Sequence, residues 1–226
     1  MTPIIGAITI GQSPRTDVTA DFLPALGRDV TLLQRGALDD LTREEIAALA
    51  PAVGDYVLVT RLRDGTEVKV AEERIHERMR AAVRYLEDQG ASLIILFCTG
   101  EFPGVDSRQI LLRPDALLSS AVKELIGVGI LGICVPSAEQ IPAMTKKWAG
   151  VGSGCVCAAV SPYSAPLSAF RTAAAELALG GADLIVMDCI GYSAEMKKIV
   201  QEETLKPVVL PRTFLGRLAG ELLGGI

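Results

Sequence analysis

Short β-rich apolar runs alternate along this chain with longer stretches of helical spacing. Ile4 to Ile10 reads as a buried first strand, and Ser13 and Pro14 supply the cap and first residue of a helix to about Leu26. Val30 to Gln34 is a strand and Thr42 to Ala50 a short helix, with Thr42 and Glu45 spaced as a capping box. Tyr56 to Leu62 and Glu67 to Val70 flank Asp64-Gly65, which predicts a hairpin. Ala71 to Asp88 is a charged amphipathic helix that Gly90 ends. A strand leading to Cys98, a loop from Pro103 to Pro114 and a helix from Asp115 to Ile126 follow. Then come strand Ile130 to Val135, a helix near Ala138 to Trp148, strand Cys155 to Val160 and helix Ala165 to Leu179. Strand Leu184 to Asp188, a helix from about Glu195, strand Pro207 to Leu210 and a helix from about Thr213 close the chain. Such alternation predicts an α/β fold with parallel strands and helical crossovers.

One segment of this pattern occurs twice. Gly90-Ala-Ser-Leu-Ile-Ile-Leu-Phe-Cys98-Thr-Gly100-Glu-Phe102 aligns without a gap with Gly181-Ala-Asp-Leu-Ile-Val-Met-Asp-Cys189-Ile-Gly191-Tyr-Ser193. In both copies an apolar run ends at the cysteine and a glycine follows two residues later. Ile5 to Ile10 also resembles Leu131 to Pro136, in the right order relative to each cysteine strand. The reading is two similar halves related by a pseudo-twofold axis, residues 1–112 and 113–210, with the terminal helix 211–226 packing back on the first.

Half of the 226 residues are apolar and only 4% aromatic, a mix suited to strands buried on both faces. The net charge of −5, with no basic stripe, argues against a nucleic-acid partner. The N-terminus lacks a signal-like pattern, and the longest apolar run, Leu125 to Val135, is too short and Gly-rich for a membrane span. The positive mean hydropathy therefore reports core, and a cytoplasmic protein without a membrane partner is expected. Five cysteines fit no disulfide framework, and with one histidine and no CxxC pair no metal site is expected. Cys134, Cys155 and Cys157 read as packing residues. Gly127-Val-Gly129-Ile-Leu-Gly132 matches a dinucleotide fingerprint in form only, because the glycines precede a strand instead of opening a helix. No cofactor is expected.

The carboxyl end of a parallel strand is where such sheets bind ligands, so the repeat delivers two thiols to one functional edge. Inverting a stereocentre needs a base on one face and an acid on the other, and thiols can be tuned to both roles. Backbone N–H groups and a nearby helix N-terminus are expected to favour the thiolates. His76, the one histidine, lies in a charged helix, which argues against a Ser-His-Asp triad. Gly11-Gln12-Ser13-Pro14-Arg15 follows the first strand, where Ser13 and Arg15 are candidate carboxylate ligands. Ser13 is equally an ordinary N-cap, and Arg15 a surface partner of Asp17 or Glu101. Thr99, Gly100, Gly191 and Tyr192 follow the cysteines and are candidate hydrogen-bond donors, and Ser137 is a further candidate. Asp188 either faces away to cap a helix or holds a substrate ammonium.

Two half-repeats with strand-end cysteines resemble the aspartate/glutamate racemase superfamily. Within it, Ile8-Thr-Ile-Gly11-Gln-Ser-Pro-Arg15, Arg61-Leu-Arg-Asp-Gly65-Thr and Asp188-Cys-Ile-Gly191 resemble the AroM family. The resemblance implies two flavodoxin-like halves, each a doubly wound parallel sheet, a cleft between them, and cofactor-independent proton transfer by Cys98 and Cys189. It also implies a small carboxylate-bearing substrate and a possible homodimer. Amino-acid racemases usually have Cys-Asn-Thr or Cys-Thr-Ser-like turns first and Gly-Cys-Thr second; here Thr99 keeps a hydroxyl beside the first cysteine, and Ile190 removes the donor expected beside the second. The leading expectation is a racemase or epimerase, with Gly11, Gln12, Ser13, Arg15, Thr99, Gly100, Ser137, Asp188, Gly191 and Tyr192 around the substrate. The alternatives are a single-cysteine isomerase or decarboxylase of the same fold, and a non-catalytic metabolite-binding protein.

Overall fold

Four β-rich runs lie almost wholly inside the molecule: Ile4–Thr9 (β1), Leu93–Phe97 (β5), Ile130–Val135 (β7) and Leu184–Met187 (β9). The computed structural model describes residues 2–224, and these four strands are the centres of two parallel sheets. The first sheet has the order β2-β1-β5-β6, where β2 is Thr31–Gly36 and β6 is Ile110–Leu112. The second has the order β8-β7-β9-β10, where β8 is Gly154–Ala159 and β10 is Val208–Val209. Counted within its own sheet, each runs 2-1-3-4, so the repeat is one of topology as well as of sequence. In such an order the chain leaves the two central strands in opposite directions, which opens a crevice at their carboxyl ends. Register aligns these ends: Thr9 pairs with Phe97, and Cys134 with Met187.

Helices cover both faces of each sheet, which is why the central strands carry unbroken Ile, Leu and Val. Helix α1 (Thr16–Leu26) and the C-terminal helix α8 (Pro211–Leu222) pack on one face of the first sheet, with Val18, Phe22, Leu215 and Ala219 in one cluster. Gly216 and Gly220 let the two backbones approach. A Cβ would stand 2.7 Å from the Phe22 carbonyl oxygen at the first and 2.3 Å from that of Leu26 at the second. Residues 225 and 226 of the expected terminal helix lie outside the described residues. On the opposite face, helix α3 (Glu72–Asp88) buries Ile75, Met79, Ala82, Val83 and Leu86, the stripe its spacing predicts. Gly90, at φ +86°, turns the chain into β5. The short helix α2 (Arg43–Ala47) starts with the expected capping box: Thr42 Oγ1 accepts from Glu45 N at 3.2 Å, and Glu45 accepts from Thr42 N at 2.8 Å.

The remaining helices are α4 (Pro114–Ile126), α5 (Ile141–Lys147), α6 (Leu167–Leu179) and α7 (Ala194–Thr204). Gly127 and Gly129 join α4 to β7, ahead of the strand. Three local expectations are corrected. The segment Pro103 to Pro114 contains β6, an edge strand too short to show alternation. The helix near Ala138 to Trp148 is a 3₁₀ turn, Ala138–Gln140, followed by α5, with Pro142 in its first turn, where no N–H is needed. Helix α1 has Arg15 as its N-cap, with no side-chain cap, and Pro14 lies before it after a cis Ser13–Pro14 bond.

The predicted hairpin forms as an antiparallel pair outside both sheets, β3 (Val57–Arg61) and β4 (Glu67–Ala71). It lies over the crevice and touches the second half: Gln140 Nε2 donates to the Val57 carbonyl at 3.0 Å, and Lys69 pairs with Glu139 at 2.8 Å. Ser161 also donates to Glu67.

Candidate functional site

Cys98 follows β5 directly, and Cys189 follows β9 by two residues. Both thiols line one cavity of about 20 Å³, whose walls come from both halves and from the hairpin: Ile10, Tyr56, Leu58, Val59, Pro136, Gln140 and Met144. That space is about enough for one water, so a substrate needs these walls to part. Each sulfur accepts a hydrogen bond from the glycine N–H two residues on, Gly100 at 3.3 Å and Gly191 at 3.4 Å. The repeated glycine has a steric purpose: a Cβ would stand 2.8 Å from Leu58 Cδ2 at Gly100 and 2.4 Å from the Tyr163 hydroxyl oxygen at Gly191.

Burial dominates the thiol chemistry. It pushes Cys98 up to about 12, against the Gly100 N–H; nearby Cys189 raises it further and Lys147 lowers it. Burial raises Cys189 too, against the Gly191 N–H, the Tyr163 hydroxyl and Arg15. The expected stabilisation of thiolates at helix N-termini is thus corrected. No helix follows Cys98 closely, and α7 starts five residues beyond Cys189.

Asp188 neither caps a helix nor offers a free carboxylate. Lys147 Nζ bonds its two oxygens at 3.0 and 2.8 Å, and the Trp148 indole donates to it at 2.7 Å. The same ammonium donates to the Thr99 carbonyl at 2.9 Å, so a cation on α5 holds the first cysteine loop. Its counterpart at the second loop is Arg212, whose guanidinium donates to the carbonyls of Ile190 at 3.0 Å and Gly191 at 2.6 Å. It also reaches Asp21 on α1 at 2.9 Å.

Several expected substrate ligands have hydrogen-bond partners within the chain. Ser13 Oγ donates to Asp39 at 2.6 Å, and Ser13 N donates to the same carboxylate at 2.8 Å, so Ser13 is not an N-cap. Gln12 Oε1 accepts from Arg63 N at 2.9 Å, and Arg63 Nε donates to the Ser13 carbonyl at 2.8 Å. Gly11 passes so close to the hairpin that a Cβ would stand 2.4 Å from Thr60 Oγ1. The segments Gly11–Arg15 and Arg61–Gly65 therefore form one knot that docks the hairpin on the end of β1. Arg15 is buried, not at the surface: it chelates Asp17 at 2.9 and 2.8 Å and reaches the Tyr163 hydroxyl at 3.3 Å. Tyr192 is fully buried, donates to the Val160 carbonyl at 2.8 Å and stacks edge-on against Phe170. Ser137 is half-buried and precedes the 3₁₀ turn, outside the cavity lining. Of the expected ligands, Thr99, Gly100 and Asp188 line the cavity with the two cysteines.

Tyr163, Lys147, Arg212 and Gln140 escape the sequence reading. Tyr163 stands with its hydroxyl 3.7 Å from Cys189 Sγ, supplying from another loop the hydroxyl that Ile190 cannot. Ile190 packs in the α1–α8 core. Arg212 did leave a signal, since a cation in a first helical turn opposes the helix dipole. Lys147 left none that separates it from Lys146. His76 also differs from its surface reading: it is half-buried beneath Phe102, its ring centroid 6.4 Å from that of Phe102, with Nδ1 2.9 Å from Glu72. Cys134 is buried, while Cys155 and Cys157 on the edge strand β8 are only half-buried.

Among the described residues, no group of three His, Cys, Asp or Glu gathers to hold a metal, and no helix is long and apolar enough to cross a membrane. Two parallel sheets meeting across paired strand-end cysteines define a racemase-type α/β fold. Residues 5–223 match the family model for AroM protein, and the chain belongs to the AroM family. It is similar in structure to the aspartate racemase of Picrophilus torridus (TM-score 0.60, 15% identity, covering 98% of this chain and 94% of that one). It is likewise similar to the maleate isomerase of Pseudomonas putida S16 (TM-score 0.65, 12% identity, 100% and 94%). A third similar structure is unliganded arylmalonate decarboxylase (TM-score 0.57, 15% identity, 96% and 91%). These neighbours are a racemase, an isomerase and a decarboxylase of one fold. No curated protein matches the chain by sequence.

Proposed function

We propose that this protein is a cofactor-independent racemase or epimerase that moves a proton at the carbon next to a carboxylate. Cys98 and Cys189 act from opposite faces. The observation that carries this reading is the pair of thiols in one small cavity, each with the same glycine N–H on its sulfur. One sulfur, as thiolate, takes the α-proton; the other, as thiol, gives its proton to the far face. The two protonation states are then exchanged and no atom is gained or lost. Desolvation serves the first step, because a thiolate whose conjugate acid is pushed toward 12 is a stronger base than one in water. The Thr99 hydroxyl and the nearby Lys147 ammonium suit the carboxylate and the negative charge that grows on it. The aspartate racemase neighbour supports the same chemistry by analogy.

A second reading has one cysteine as sole acid or base, in an isomerase or decarboxylase. The observation behind it is that, of the two cavity cysteines, Cys189 has a hydroxyl partner, Tyr163, and Cys98 has none among the described residues. Incubation in D₂O with paired L- and D-acids, followed by ¹H NMR of the α-proton, separates the readings. Two-base transfer washes out the proton from both enantiomers and interconverts them; a one-base enzyme exchanges a single enantiomer without inversion. Ligand binding without washout of any compound would sink both.

A further inference from the structure

Granting the proton-transfer reading above, the walls of the cysteine cavity restrict what the reacting carbon carries. The side facing the hairpin and the second half is made of Ile10, Leu58, Val59, Pro136 and Met144. Of the cations nearby, Lys147, bonded to Asp188 and Thr99, is the one assigned to the reacting carboxylate, and Arg15 is committed to Asp17 and Tyr163. A second carboxylate pushed against Leu58 and Met144 has no unpaired cation to meet, and burying an unpaired charge there is costly. Two polar side chains interrupt this wall, Tyr56 and Gln140. Gln140 is 92% buried by its 8% exposure, and its Nε2 is committed to the Val57 carbonyl. Its Oε1 has no hydrogen-bond partner among the described residues. Gln140 lines the cavity, so with its amide nitrogen fixed in this way it brings an unpaired, covered acceptor to that wall, which asks for an N–H or O–H donor once the walls part.

The geometry points to a monocarboxylate substrate with a small apolar substituent and an amino or hydroxyl group on the reacting carbon. In this assignment Gln140 is the residue that reads the donor, and dicarboxylates such as aspartate and glutamate are poor ligands.

The test uses the full chain with three sets of probes: L- and D-2-aminobutyrate and 2-hydroxybutyrate, then L- and D-aspartate and glutamate, then butyrate. Thermal stabilisation and α-proton washout in D₂O are read for each. The expected result is that 2-aminobutyrate or 2-hydroxybutyrate outperforms both dicarboxylates by roughly 100-fold. Gln140→Leu is expected to erase the advantage of these compounds over butyrate in binding, about tenfold. Aspartate or glutamate performing as well or better overturns the inference and leaves proton transfer standing. Preferential stabilisation by 2-aminobutyrate or 2-hydroxybutyrate with no washout keeps the pocket assignment and removes the proton-transfer reading. A preference for amino and hydroxy acids that survives in folded Gln140→Leu removes Gln140 from the assignment. If that variant does not fold, the wild-type ranking still decides the substrate class.

Discussion

Cys98 and Cys189 sit at equivalent places in two sheets of identical strand order, and each sulfur receives an N–H from the glycine two residues on. Their surroundings differ. The first loop is covered by the hairpin, with the Tyr56 ring lining its cavity, and its Thr99 carbonyl is held by Lys147. The second has the Tyr163 hydroxyl at its sulfur, and its Ile190 and Gly191 carbonyls are held by Arg212. In both cases the restraining cation belongs to an element packed with the opposite sheet: Lys147 ends α5, beside β7 and β8, and Arg212 starts α8, which packs on α1. The repeat thus supplies the reactive atom and its amide, while segments outside the repeat supply the asymmetry. A pair built this way has two equivalent thiols in two inequivalent fields.

The harshest test of equivalence removes each sulfur in turn. Cys98→Ser and Cys189→Ser are each expected to lower α-proton exchange by about 10²–10⁴-fold, the range for loss of a positioned acid or base. NMR washout in D₂O measures it, and one variant near wild-type rate would make the pair unequal in function.

Next come the two clamps. Lys147→Met leaves the Asp188 carboxylate, whose side chain is 0% exposed, with the Trp148 indole and no cation. Stripping one partner from a buried pair costs about 3–5 kcal/mol. Arg212→Met is expected to cost less, about 2 kcal/mol, because Asp21 is 23% exposed and water can replace the guanidinium there. Urea denaturation ranks the two, and the reverse order would mean that the second loop carries the stronger restraint.

How much of this was legible beforehand follows from the range of each interaction. Periodicity gave the strands, the capping box, the hairpin and the repeat, because those are set by neighbours within a few residues. The alternation also predicted the two α/β halves and brought both cysteines to one edge. It failed at β6, whose three residues are too few to alternate. Nor could it show the partners of Gln12 and Ser13, because Arg63 and Asp39 lie about 50 and 26 residues away. The hydroxyl beside Cys189 comes from Tyr163, 26 positions back, through a turn that nothing in the repeat marks. Buried polar partners set by tertiary folding have no local pattern to read.

A pH series probes the burial that the two thiols share. Folding holds Cys98 near 12, whereas an unfolded thiol titrates near 8.5. Between these values the unfolded chain has lost a proton that the folded one keeps. Stability is therefore complete below about pH 8.5 and declines as the pH rises toward 12. Removing one such thiol in Cys98→Ser is expected to flatten the decline by up to about 1.4 kcal/mol per pH unit. Denaturation midpoints of both proteins at pH 8 and pH 10 give the difference, and equal slopes would contradict a buried, raised Cys98.

The smallest expected effect isolates the feature that separates the two loops. Tyr163→Phe removes the hydroxyl 3.7 Å from Cys189 Sγ and leaves the ring against the Arg15 guanidinium, which lies 5.5 Å from its centroid. That hydroxyl works against burial to favour the Cys189 thiolate, and Arg15 assists it. Without it the Cys189 thiol should ionise at higher pH while Cys98, on the other side of the cavity, is unchanged. The shift expected is under one pH unit, about 1 kcal/mol, since a long O–H···S contact is a weak hydrogen bond. Iodoacetamide labelling across a pH series, with mass spectrometry to separate the two peptides, reads both sites in one sample. A midpoint that moves at Cys189 alone sharpens the comparison to a single oxygen atom. Equal movement at both would show that Tyr163 acts through the closure of the two halves, because it joins them through Arg15.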